Sequence, residues 1–281
     1  MFALQVECQF TTILGSLVCH KKLRHLIIFE ERSWHATKEV IALLVNLTSV
    51  PSFCEHIYEP MLVGKLLACA KDSSNPSLFK VMRNLSRFEV GTSLLSGFIP
   101  ELVNALMDAQ PSIQVEVMGI LNNIASIKDM CCSILTRKHL LQFLSAQLGL
   151  NTTEDDLVLE IGIFIGSICS SKTASVISEA RLVSSMCLLF PKKQYDKDLT
   201  VQFLYAFNQL LLYESTSKDF RACPDKMVMH VLKLRQDANK LVANMADIFM
   251  NVLMEIDQEW CIKIKWFNFS LINRMTFQGT I

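Results

Sequence analysis

The sequence predicts an all-α fold, an armadillo-type right-handed α-solenoid of about six repeats with the first one partial, and three observations predict it. An asparagine-centred phrase returns along the chain. It is LLVNLT around Asn46, VMRNLS around Asn84 and ILNNIA around Asn123, and it fades to IFIGSI around Ser167, AFNQLL around Gln209 and MADIF around Asp247. The intervals between these positions are 38, 39, 44, 42 and 38 residues, the period of armadillo and HEAT units. Three helical segments fit each interval, which favours armadillo over the two-helix HEAT unit. The last segment of each unit is apolar over most of its circumference, as a helix packed on two sides has to be.

The units are legible from Gly91 onward. GTSLLSG (91–97) is a short first helix, FIPELVNALMDA (98–109) a second, and SIQVEVMGILNNIAS (112–126) a third, opened by Pro111 and Ser112. The order recurs as SILTR, HLLQFLSAQLG and EDDLVLEIGIFIGSICS, then as SVISEA, LVSSMCLLF and DKDLTVQFLYAFNQLLLY. Acidic residues open two of these third helices, Glu154 to Asp156 and Asp196 to Asp198, where they complement exposed amides and the positive end of the helix dipole. MVMHVLKLRQ and NKLVANMADIFMNVLMEID make the last unit. The stretch before about Trp34 has no visible first helix and reads as the partial repeat. The predicted division is a solenoid over residues 1–257 and an aromatic segment over residues 258–281, whose Trp260, Trp266, Phe267 and Phe269 either cap the final repeat or dock a partner.

Composition narrows the function. Lys plus Arg equals Asp plus Glu at 27 each, so no overall field favours nucleic acid or anionic membranes, and HKKLRH (20–25) and PKK (191–193) are short enough to be solvated helix ends. No apolar stretch reaches the 18 or so residues of a membrane span. Ten cysteines without a CxxC pair read as thiols packed in a reducing cytoplasm. The Asn-x-Ser/Thr matches at Asn46 and Asn84 fall inside repeated helices, where glycosylation is not expected.

Catalytic signatures are missing from the sequence: there is no phosphate loop, HExxH, GxSxG or kinase motif, and the six histidines lie far apart. No enzyme activity, cofactor, metal or small-molecule substrate is expected, and the cluster Glu154, Asp155, Asp156 reads as a helix cap rather than a metal site. The candidate functional residues are for protein binding. Asn46, Asn84 and Asn123 are third-helix amides able to bond an extended peptide backbone at regular intervals, or equally to bond within the repeat, and Trp266 is a docking aromatic.

The residues also carry a resemblance. NTTEDDLVLEIGIFIGSICSSKTASVISEARLVSSMCLLF, KVMRNLSRFEVGTSLLSGFIPELVNAL, VEVMGILNNIAS, FLYAFNQLLLYESTSKDF and EIDQEWCIKIK resemble, in order, segments of the kinesin-associated protein family, the armadillo accessory subunits of heterotrimeric kinesin-II. The match covers about Thr37 to Lys265, with EDDLVLE and the later DQEW its specific part. Members of that family are longer, so this chain resembles the C-terminal portion of their repeat domain; the glycine usual between first and second helices is kept at Gly97 and lost near Arg181. The resemblance implies a non-catalytic adaptor that binds the tails of two kinesin-II motor chains and links them to cargo proteins. It also implies a place in the cytoplasm, on the cytoskeleton and in the cilium. An importin-like receptor would pair each asparagine with a tryptophan one turn earlier, where this chain has Ala42, Lys80 and Gly119; a catenin-like scaffold would want a basic groove.

Overall fold

The computed structural model describes residues 38–278, apart from 55–56, 108, 128, 151 and 194–195, with side chains through residue 270. The predicted partial repeat before Trp34 and the basic run at 20–25 lie outside the described residues. Among the described residues every regular element is a helix, and no single helix is long and apolar enough to cross a membrane. The chain divides into two compact units, Met1–Ala105 and Leu106–Ile281.

Helices are numbered from the first one described. The first unit carries α1 (Lys38–Leu47), α2 (Pro51–Cys54), α3 (Pro60–Ser73), α4 (Pro76–Leu85), α5 (Glu89–Ser96) and most of α6 (Ile99–Met107). Proline stands at the first position of α3 and α4, where its missing N–H costs nothing, and the Asn75 side chain accepts from the Ser77 N–H at 3.0 Å to cap α4. The third helix of one repeat, α1, packs on the third helix of the next, α4. Gly91 at the start of α5 is obligatory, because a Cβ there would lie 2.0 Å from the Leu85 carbonyl oxygen.

The second unit holds α7 (Pro111–Ala125), α8 (Met130–Leu135), α9 (Lys138–Gly149), α10 (Asp155–Ile168), α11 (Ala174–Glu179) and α12 (Leu182–Leu189) with a 3-10 turn at Phe190–Lys192. Then come α13 (Lys197–Leu211), α14 (Glu214–Ser217) running into a 3-10 turn at Lys218–Ala222, α15 (Asp225–Leu234), α16 (Lys240–Ile256) and α17 (Gln258–Gln278). The third helices α7, α10, α13 and α16 are neighbours in chain order, each packed on the next. The α10–α13 joint is close because α10 offers glycine: Cβ positions built on Gly162 and Gly166 fall 3.2 Å from the Phe203 ring and the Ala206 Cα. The α13–α16 joint is filled by aromatics instead. Phe207 lies 5.8 Å, ring to ring, from both Phe203 and Phe249, and Phe190 and Phe220 complete a fully buried cluster.

Leu85, Ile124 and Ile168, each following a marker position, are fully buried, as the repeat phrase predicts. The last marker breaks the pattern. Ile248, which follows Asp247, is 52% exposed, while Phe249 takes the core. Two caps also differ in kind. Asp196 accepts from the Leu199 N–H at 3.0 Å as a cap should, but Glu154 makes no side-chain cap bond, and Asp155 instead pairs with Lys193, whose ammonium also donates to the Thr153 carbonyl at 3.0 Å. The acidic opening of α10 thus serves a tie to the next repeat. Arg181 between α11 and α12, where the family glycine is lost, takes the left-handed conformation with φ of 57°, whereas Gly97 has an ordinary φ of −65°.

Candidate partner-binding surface

One small donor per repeat sets the register of the third helices. Cys54, Thr92, Cys131, Thr173 and Thr216, all buried in or beside first helices, donate to the carbonyls of Thr48, Ser86, Ala125, Ile168 and Leu210, which close the preceding third helices. The acceptor is a carbonyl left over by the helix end, so one thiol or hydroxyl satisfies it where a larger side chain would not fit. Burial pushes the Cys54 thiol up to about 11 and also raises that of Cys131, so both stay protonated donors. By this register the residue equivalent to Asn46, Asn84 and Asn123 in the fifth repeat is Asn208, one before the Gln209 that the phrase picks out.

The asparagines divide in their roles. Asn46 is exposed at the end of α1. Asn84 is half-buried, and its amide donates to the Val45 carbonyl at 2.9 Å and the Thr48 hydroxyl at 3.3 Å, so it ties α4 to α1 beside Asn46. Asn123 is half-buried near the end of α7, and its neighbour Asn122, which the sequence reading passed over, is buried and donates to the Glu160 carboxylate at 2.6 Å and carbonyl at 3.1 Å on α10. Asn208 repeats the device from α13 to α16, donating to the Met245 carbonyl at 3.2 Å. Paired amides one repeat apart would be the signal for such joints, but from sequence alone they look the same as surface amides.

Trp266 lies on α17, separated from Asn123 by α10, α13 and α16. The inner side of α17 is tied down. Trp260 is buried and its indole N–H donates to the Phe220 carbonyl at 3.0 Å, with the Lys263 ammonium 4.8 Å from its ring. Arg235, at the end of α15, pairs with Asp247 of α16 and donates to the Asn268 side-chain oxygen of α17 at 3.3 Å, and Arg221 pairs with Asp257 at 3.2 Å. The outer side carries Ile262, Trp266 and Phe269, 65%, 63% and 67% exposed at helical spacings of four and three. Trp266 has an edge contact with Phe267, centroids 5.5 Å apart. Leu241 and Ile248 on α16, Tyr205 on α13 and Leu212 just after it are exposed as well.

On the other helices a groove of about 740 Å³ is lined by Leu135, Lys138, Leu141, Gln142, Val176 and Glu179. Among the described residues no three His, Cys, Asp or Glu side chains are placed to hold a metal. His230 is half-buried against the Phe190 ring, centroids 5.1 Å apart, and burial, helped by Lys233, lowers its pKa.

The comparisons agree with this geometry. A family model described as kinesin-associated protein matches residues 2–277. An engineered protein superposes with a TM-score of 0.68 at 18% identity, over 84% of this chain and 58% of its own. A designed armadillo repeat protein in complex with the peptide (KR)4 gives 0.65 at 15% identity, over 83% and 98%. A structure from a study of the phosphorylation switch between cadherin and β-catenin gives 0.72 at 13% identity, over 91% of this chain and 49% of that one. The chain spans 58% of the first of these and about half of the third.

Proposed function

Since the chain belongs to the kinesin-associated protein family, we propose that it is a non-catalytic adaptor which binds the tails of kinesin-II motor chains and links them to cargo proteins in microtubule-based and intraciliary transport. The family match over residues 2–277 carries this reading. The structure supports its general class by supplying stacked helices with exposed apolar side chains, Ile262, Trp266 and Phe269 among them. ATP hydrolysis would then reside in the partner, and the adaptor would act in the cytoplasm, on the cytoskeleton and in the cilium.

Within this reading, residues 258–281 have two jobs, covering the last repeat with Trp260 and offering Ile262, Trp266 and Phe269 to a partner helix. Three apolar side chains spaced four and three apart suit a helix-in-groove or helix-pair contact, which is how motor tails with an amphipathic face would bind. Asn46, exposed at the end of α1, remains a proposed contact for an extended segment, and Asn123 is proposed with it; Asn84 has its amide bonded to Val45 and Thr48 and contributes through the joint. The test is a pull-down with both kinesin-II tails and no nucleotide, using chain shown to be folded by circular dichroism. Retention of a tail, weakened at least tenfold by combined Ile262→Ser, Trp266→Ser and Phe269→Ser, is the expected result. Failure to retain either tail overturns the reading.

A further inference from the structure

We infer that Cys187 and Cys223 form a reversible intramolecular disulfide under peroxide, an oxidation site that locks the fifth repeat to the sixth. Cys187 is fully buried on α12 and Cys223 lies just after the 3-10 turn at Lys218–Ala222, 36 residues on. Their sulfurs face each other at 2.8 Å, inside ordinary contact distance, against about 2.05 Å for an S–S bond. No other pair among the described cysteines is recorded in sulfur-to-sulfur contact, even though Cys131 and Cys132 are adjacent in sequence: Cys131 turns inward to the Ala125 carbonyl and Cys132 outward to solvent. The pair therefore has its sulfurs within reach of a bond, a closeness that sequence spacing alone never establishes.

The chemistry balances in two steps. Hydrogen peroxide oxidises the Cys223 thiol, the more accessible of the two at 8% exposure, to a sulfenic acid and is reduced to water. The Cys187 sulfur then attacks the Cys223 sulfur, its proton leaves with the sulfenic hydroxyl as a second water, and the S–S bond forms. A thiol reductant reverses it. Burial first, then the neighbouring Cys223 thiol and the Asp219 carboxylate, hold the Cys187 thiol well above its usual range, so it is a poor nucleophile at rest and oxidation depends on brief opening of the segment around Cys223. The closed bond joins α12 to the residue that follows the 3-10 turn at Lys218–Ala222, a turn that packs on α12. Stiffening that joint changes how the last two repeats and α17 move against each other.

The experiment treats the folded full chain with hydrogen peroxide, blocks remaining thiols, digests it with trypsin without reductant and maps the peptides by mass spectrometry. Peptides 182–192 and 222–226 are expected as one linked species, two hydrogens lighter than their sum and separated by dithiothreitol. The melting temperature of the oxidised chain should rise by roughly 5 to 10 °C and fall back on reduction. Cys223→Ser should abolish both effects, and the wild-type map stands as the test if that variant does not fold. Recovery of Cys187 and Cys223 as blocked thiols while Cys132 or Cys261 is oxidised, or linkage of either to a different cysteine, overturns the inference.

Discussion

Trp260 and Trp266 sit fewer than two turns apart on one helix and meet opposite surroundings, 2% against 63% exposed. The chain supplies the same side chain twice, so the difference lies in what faces it. Trp260 meets a first-helix turn whose Phe220 carbonyl, already accepting from the Cys223 N–H at 3.1 Å, takes the indole N–H on its second lone pair. Trp266, six residues on, points away from α15 and α16 and joins Ile262 and Phe269 instead. The inner face holds α17 to the last repeat and the outer face leaves apolar area uncovered, so stability and binding should separate by face.

That separation can be broken or sharpened by mutation, and the largest effect is expected at Trp260. Trp260→Ala removes a buried indole and one of the two hydrogen bonds to the Phe220 carbonyl, which should lower stability by about 3 to 5 kcal/mol in chemical denaturation. A loss under about 1 kcal/mol would mean that the inner face holds nothing. Next comes Arg235→Ala, which cuts the link among α15, Asp247 and Asn268; these groups are partly exposed, so about 0.5 to 1.5 kcal/mol is expected.

A smaller effect comes from pH, through His230 on α15. His230 is half-buried against Phe190 with its pKa lowered by burial, and Lys233 adds to the shift, so the unfolded chain binds the proton more readily than the folded one. Stability from this group is complete above the ordinary value of 6.5 and falls as pH drops through the lower folded value. Melting curves between pH 7.5 and 5.5 should show a decline that His230→Leu reduces, and an unchanged slope in the variant would assign it to other groups. Smallest is Trp266→Ser, expected within about 0.5 kcal/mol of wild type because the side chain is 63% exposed.

The fold was largely readable in the sequence because a solenoid repeats its solution. Leu85, Ile124 and Ile168 are buried as their phrase predicts, and helices such as Pro111–Ala125 and Lys197–Leu211 begin and end within a few residues of their expected limits. The reading slipped where one residue of phase decides the outcome. Gln209 stands in for Asn208 because both are amides on one turn, and Asp247 follows the spacing yet its pairing with Arg235 turns Ile248 outward. The candidate site was less legible. Whether Asn84 reaches solvent depends on Val45 and Thr48, 39 and 36 residues earlier, and whether a tryptophan is core or surface depends on which carbonyl it meets. Asn122 with Glu160 and Cys187 with Cys223 are likewise contacts between repeats that neither residue announces alone.

The claim that the outer face of α17 receives the partner is tested most directly by the emission of Trp266 itself. In a chain with Trp34→Phe and Trp260→Phe, Trp266 is the sole tryptophan, and its fluorescence starts red-shifted and open to quenching by acrylamide, as 63% exposure requires. Titration with a kinesin-II motor tail, without nucleotide, should shift that emission to the blue and protect it from acrylamide, saturating at a fixed ratio of tail to chain. A tail that binds the chain and leaves the emission and quenching of Trp266 unchanged would contradict the claim.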